Sequence, residues 1–69
     1  MANGIMKINI SKRFDRNCKV YAFDVKIDGE VYAEVSKHTA FKLIMQAEDV
    51  ARELDMVIDV HGQQYLTVA

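Results

Sequence analysis

The 69-residue chain has no proline, a single cysteine and only three glycines. Without proline, no position has its φ angle locked or its backbone donor removed, so nothing of that kind interrupts an element. One cysteine, Cys18, excludes an internal disulfide and any zinc site built from several cysteines; an inert thiol in a reducing compartment fits it best. Three glycines leave no Gly-rich phosphate loop, and the chain also lacks a Gly-x-Ser-x-Gly elbow, a His-Glu-x-x-His pair and a carboxylate-rich calcium loop. No apolar run approaches the ~20 residues that span a bilayer, and Met1-Ala2-Asn3-Gly4 is not a charged region followed by an apolar one, as an export signal would be. The expectation is a soluble, unexported, cytoplasmic protein without a cofactor, a metal or a membrane partner.

Sixty-nine residues allow one domain, 1–69, with 1–4 expected as a disordered tail. A chain of this size buries only about 60% of the surface it exposes when unfolded, so its core is small and a homodimer or a partner would add to it. The net charge of −1 conceals an asymmetry. Residues 1–26 carry six Lys/Arg against two acids, whereas residues 27–69 carry three against eight. Such a dipole orients a partner and speeds encounter without specifying it.

Met6, Ile8 and Ile10 alternate with Lys7 and Asn9, which predicts a strand, and Ser11 to Asn17 reads as a polar loop. Two further strands follow, in which Tyr21, Phe23, Val25 and Ile27 and then Val31, Ala33 and Val35 form the apolar sets. A two-residue Asp28-Gly29 turn pairs Val25 with Tyr32 and Lys26 with Val31, sending those sets to opposite faces. A three-residue loop, Ile27-Asp28-Gly29, instead pairs Val25 with Val31, Phe23 with Ala33 and Tyr21 with Val35. It also sets Lys26 opposite Glu30 and gives Gly29 a left-handed position, so the expected connection is a type I turn with a G1 bulge.

From Lys37 to Leu54 the spacing changes to Ala40, Ile44, Ala47, Ala51 and Leu54, one helical stripe whose start Ser36 or Thr39 would cap. Met56, Ile58 and Val60, then Leu66 and Val68 after Gly62-Gln63-Gln64, predict a second short hairpin. The expected fold is therefore α+β, a small antiparallel sheet in the order β-β-β-α-β-β with one helix on one face. Parity assigns Lys7, Asn9, Asp24, Lys26, Tyr32, Glu34, Asp59, His61, Tyr65 and Thr67 to the open face.

Four groups of residues are candidates for function. The segment 11–19 holds Lys12, Arg13, Arg16 and Lys19 with Phe14, a composition suited to phosphate contact with Phe14 stacking on a base or filling a partner pocket; a solvated loop explains the same charges. Tyr32 and Tyr65 on the open face, near Lys7 and Lys26, suggest a stacking platform or an interface, although tyrosine also simply favours strands. Phe41 and Met45 project from the helix shoulder, at roughly 100° and 140° from Ala40, where a protein or dimer contact would cover them. Glu48, Asp49, Glu53, Asp55 and Asp59 gather against Arg52, which can pair with Glu48, as a solvated face or as a dock for a basic surface. Asp59 and His61 share a strand face, but two ligands fall short of the three of a catalytic zinc, and His61 reads better as a turn residue opposite Tyr65.

No family motif can be placed on these residues. In size and in its lack of an active site the chain resembles small phage or prophage accessory proteins, including anti-CRISPR proteins and other inhibitors of host factors, which act by stoichiometric binding. That resemblance implies a non-enzymatic protein-binding module and transfers no residue roles. The alternative expectation is a small nucleic-acid-binding protein that uses the basic loop 11–19 and the open sheet face.

Overall fold

The strand opened by Met6, Ile8 and Ile10 runs well past its apolar residues. In the computed structural model, which describes residues 4–67, β1 spans Ile5–Asp15 and is followed by β2 (Val20–Ile27), β3 (Glu30–Val35), α1 (Lys37–Glu53), β4 (Val57–His61) and one helical turn, α2 (Gln64–Thr67). The strands form a single sheet in the order β3-β2-β1-β4, antiparallel except for the β1–β4 pair, which is parallel. With α1 packed on one face, the α+β class with one covering helix holds. No helix of the described residues is long and apolar enough to cross a membrane. Residues 1–3 of the expected tail lie outside the described residues, and the carbonyl of Gly4 accepts a bond from Val57 N at 3.0 Å.

The expected loop after Ile10 is corrected. Ser11 to Asp15 continue β1 opposite β2, with Lys12 across from Phe23, Phe14 across from Tyr21 and Asp15 across from Val20. Ladder hydrogen bonds and cross-strand contacts outweigh the preference of a charged segment for a coil. Only residues 16–19 turn, held by the Asp15 carboxylate, which accepts from the amides of Asn17 (2.9 Å) and Cys18 (3.4 Å), and closed by Lys19 at φ 55.

The β2–β3 connection is the two-residue turn, not the expected three-residue loop. Asp28 (φ 49) and Gly29 (φ 93) are both left-handed, as a type I′ turn requires, and Val25 pairs with Tyr32, Lys26 with Val31 and Ile27 with Glu30. The parity conflict is resolved farther along. Phe23 pairs with Val35, so Asp24 opposes two residues, Ala33 and Glu34, and Glu34 takes φ 57. This bulge returns Val35 to the helix-covered face above Phe23 and leaves Val31 on the other side, 62% exposed. The Asp24 carboxylate holds it, accepting from Glu34 N at 2.9 Å and from Arg13 Nη2 at 3.3 Å, while Arg13 also reaches the Glu34 carboxylate at 3.3 Å.

Ser36 caps α1, its hydroxyl oxygen accepting from Thr39 N at 3.2 Å. Ala40, Ile44, Ala47 and Ala51 are buried as the spacing predicts, on Met6, Ile8, Ile10, Phe23 and Val25. Leu54 is not part of that stripe, being 52% exposed at the C-cap. The helix ends there in a Schellman motif: Met56 N donates to Ala51 O (2.8 Å), Asp55 N to Arg52 O (3.3 Å), and Asp55 stands at φ 53 where glycine is usual. Met56 then packs on the core and β4 enters alongside β1, Met6 level with Ile58 and Ile8 with Val60.

The second hairpin does not form; the order is β-β-β-α-β-α. Gly62, at φ 89, passes so close to the carbonyl of Ile10 that a Cβ there would collide with its oxygen. Bonds from Tyr65 N to Gly62 O and from Leu66 N to Gln63 O, both 3.0 Å, wind α2. Its Leu66 is 1% exposed, filling the core between α1 and β1. A two-position alternation is too short to tell a strand from a helical turn. Val68 lies outside the described residues.

Three substitutions test these contacts by chemical denaturation. Asp24→Ala removes the acceptor that holds the bulge and is expected to cost about 1–3 kcal/mol. Gly62→Ala should cost about 2 kcal/mol or more, whereas Asp55→Gly should raise stability by about 0.5–1 kcal/mol by relieving the left-handed backbone.

Candidate functional site

β1 and β2 extend beyond α1 as a two-stranded arm. The helix begins just after Val35, which pairs with Phe23, so the pairs Arg13–Ala22, Phe14–Tyr21 and Asp15–Val20 and the turn 16–19 reach past it. Alternation places Tyr21 on the same sheet face as the buried Phe23, with Phe14 directly across. The two rings meet edge to face, centroids 5.3 Å apart at 64°, and the Lys12 ammonium sits 4.2 Å from the centre of the Tyr21 ring. This is the core face continued without its cover: Phe14 is 51% and Tyr21 57% exposed.

The four cations expected to act together are divided by the pleat. Lys12 lies on the aromatic face, whereas Arg13 points to the other and is bound by Asp24 and Glu34. Arg16 and Lys19 occupy the turn at the tip, both exposed and without an ion pair among the described residues. A shallow hollow of about 280 Å³ beside the arm is lined by Arg13, Arg16, Asn17 and Glu34. The structure thus joins Lys12 and Phe14 to Tyr21, a residue that the sequence did not single out. Tyr21 and Phe14 flank the turn symmetrically, a signal usable only once β1 is known to continue to Asp15.

The remaining candidates lie elsewhere. Tyr32, expected on the open face, opposes Val25 and lies on the helix side, in an apolar groove with Ile27, Leu43 and Val50. Its hydroxyl donates to Glu30 Oε2 at 2.9 Å, and that bond, with the negative charge of Glu30, raises the phenol above its ordinary pKa. Tyr65 is on α2, and Thr67 ends it, so neither belongs to the sheet. Phe41 and Met45 stand exposed on α1, Met45 at 63%. Lys7, Asn9, Lys26, Asp59 and His61 do share the open face by register, with Lys7 level with Asp59 and Asn9 level with both Lys26 and His61.

Among the acids, Arg52 pairs with Asp49 (3.4 Å) instead of Glu48, and Asp59 pairs with His61 (3.1 Å) on the open face. His61 is therefore the end of β4 beside Asn9, not a turn residue opposite Tyr65. No polar or charged side chain is buried among the described residues, and no three His, Cys, Asp or Glu side chains gather there as metal ligands would. Cys18 is exposed on the turn at the tip of the arm. Comparison of the chain with models of protein families, with curated proteins and with solved structures finds no match.

Replacing Glu30 with Gln removes the charge beside Tyr32. Ultraviolet titration of the tyrosines is expected to show one phenol ionising at lower pH in Glu30→Gln than in the wild type; superimposable curves would contradict the Tyr32–Glu30 bond.

Proposed function

We propose that the protein is a non-enzymatic binding module that occupies a protein partner stoichiometrically through the β1–β2 arm. One observation carries this reading: an interlocked aromatic pair, Phe14 and Tyr21, stands more than half exposed on the uncovered continuation of the core face. Exposed aromatics of restricted geometry supply large contact area with few rotors to freeze, which is why they anchor protein interfaces. The cations around them, Lys12 beside the pair and Arg16 and Lys19 at the tip, favour a partner whose apolar pocket is rimmed by carboxylates. Phe41 and Met45 on α1 are a second exposed apolar position for such contacts. Inhibition of a host factor by a phage-type accessory protein is one setting in which a module of this format would act.

The arm is also the feature that a nucleic-acid binder would use, with Phe14 and Tyr21 offering faces to bases. Two observations weigh against that use. Arg13 is committed to Asp24 and Glu34, and neither Tyr32 nor Tyr65 lies on the open face to extend a stacking platform.

Affinity capture from a lysate with the wild-type chain, set against Phe14→Ala/Arg16→Ala, tests the proposal. Both positions are exposed, so the variant should keep its circular-dichroism spectrum and lose its captured protein. Unchanged capture rejects the arm as the contact. Binding to random oligonucleotides that falls with salt at a log–log slope of about −2.7, the value for three phosphate contacts on duplex DNA by Lys12, Arg16 and Lys19, would replace this reading with the nucleic-acid one.

A further inference from the structure

The molecule measures 46 × 23 × 16 Å, and its two ends differ in charge, chemistry and thickness. One end is the arm, a bare ribbon with an exposed aromatic pair, Lys12 over the Tyr21 ring, and Arg16 and Lys19 in the turn at its tip. The other end lies about 34 Å away, ten residues down β1 at ~3.4 Å each, where Ile5 pairs with Val57 and α1 terminates. There the helix is stacked on the sheet, and Val50 and Leu54 are 45% and 52% exposed. At 100° per residue, Asp49, Glu53, Val50 and Leu54 follow one another within roughly 140° of arc, so carboxylates flank the aliphatic pair on its solvent side, while Val50 also lines the apolar groove with Leu43 and Tyr32. Arg52, the one cation in this stretch, is paired with Asp49.

We propose that the arm of one copy docks on the α1 C-terminal end of a second copy, in an antiparallel pair that makes the contact twice. The inference rests on the reading of the arm as a contact surface, and it names one occupant for it. Charge complementarity selects that occupant: an aromatic pair with cations beside it and at the tip meets an aliphatic pair with carboxylates along one side, and like-charged ends are kept apart. Antiparallel stacking also sets the thin end of each copy against the thick end of the other. A single head-to-tail contact leaves one arm and one helix end unmatched in each pair, whereas the two-fold arrangement satisfies both within the pair. A stable interface draws about 800 Å² from each partner, out of a surface of 5128 Å² here, and the two-fold arrangement divides that requirement between two related contacts. Pairing hides the arm, so a target protein and a second copy compete for it, and self-association sets how much of the arm is available.

Sedimentation of the full chain with two charge-reversed variants tests the pairing. Arg16→Glu/Lys19→Glu reverses the arm, and Asp49→Lys/Glu53→Lys reverses the helix end, where cations also suit the helix dipole. Wild type is expected to form a concentration-dependent dimer that molar salt dissociates. Each variant alone should associate about tenfold more weakly or worse, and an equimolar mixture of the two should recover a heterodimer within about threefold of the wild-type affinity, because each reversed end then meets an opposite charge. A monomeric wild type at low salt, variants that dimerise like the wild type, or a mixture that stays monomeric would each overturn the pairing. So would a heavy species that nuclease abolishes. A monomeric wild type that still captures a target through the arm removes the pairing alone; a salt-sensitive dimer with capture unaffected by Phe14→Ala/Arg16→Ala supports the pairing and removes the arm as the target contact.

Discussion

The bond from the Glu34 amide to the Asp24 carboxylate, 2.9 Å long, holds the bulge that brings Val35 back to the core of Phe23 and Val25. Asp28-Gly29 favours the tight turn, because both positions tolerate the left-handed backbone that matches the twist of the flanking strands. That turn leaves β3 one residue out of phase with β2. A sheet with one buried face cannot accept the mismatch along its whole length, and a single extra residue is the smallest repair. The repair requires Glu34 in a left-handed conformation and leaves its amide outside the regular ladder, and Asp24 supplies the missing acceptor. Arg13 on β1 then ties both acids together, so three strands are linked on the open face by side chains that are all partly solvated.

The chain beyond β3 inherits this repair. Val35 regains the covered face, Ser36 caps a helix from that point, and α1 crosses from the β3 edge toward β4, on the other side of β1. The helix thereby shields Phe23 and Val25 and leaves Tyr21 and Phe14 uncovered. The exposed arm is thus a consequence of where β3 returns to phase. The β3 edge is also guarded, since a bulge and the acids Glu30 and Glu34 make it a poor template for another strand.

For the proposed binding role the arm would be an economical surface. A two-stranded ribbon on its own has marginal stability, but this one continues strands whose other halves are anchored in the core. The edge-to-face rings and the lysine over Tyr21 restrict side chains that would otherwise be free, so less entropy is lost when a partner covers them. The charges at the tip act at longer range and bear mainly on the rate of encounter.

Several elements were legible in the residues alone. The alternation of Met6, Ile8 and Ile10, the stripe Ala40, Ile44, Ala47 and Ala51, and the cap at Ser36 all follow from periodicity and local hydrogen bonding, which short segments carry within themselves. Phe14, Lys12 and the cations of the tip were likewise visible as a composition. Their arrangement was not, because the division of Lys12 from Arg13 depends on the pleat of a strand that polar residues 11–15 gave no reason to draw. Tyr32 was misplaced because the tight Asp28-Gly29 turn sets it opposite Val25, a register that the alternation of β3 argued against until the bulge beyond it is known, and Leu66 because the approach of Gly62 to Ile10 that sets α2 joins distant parts of the chain. Residue type and spacing were enough to settle the class of the fold, the covering helix and the charge of each half, since each is a property of short segments or of composition. Register, parity and the choice of which aromatics remain bare emerged only in the folded chain, since those depend on which backbone groups find partners across the sheet.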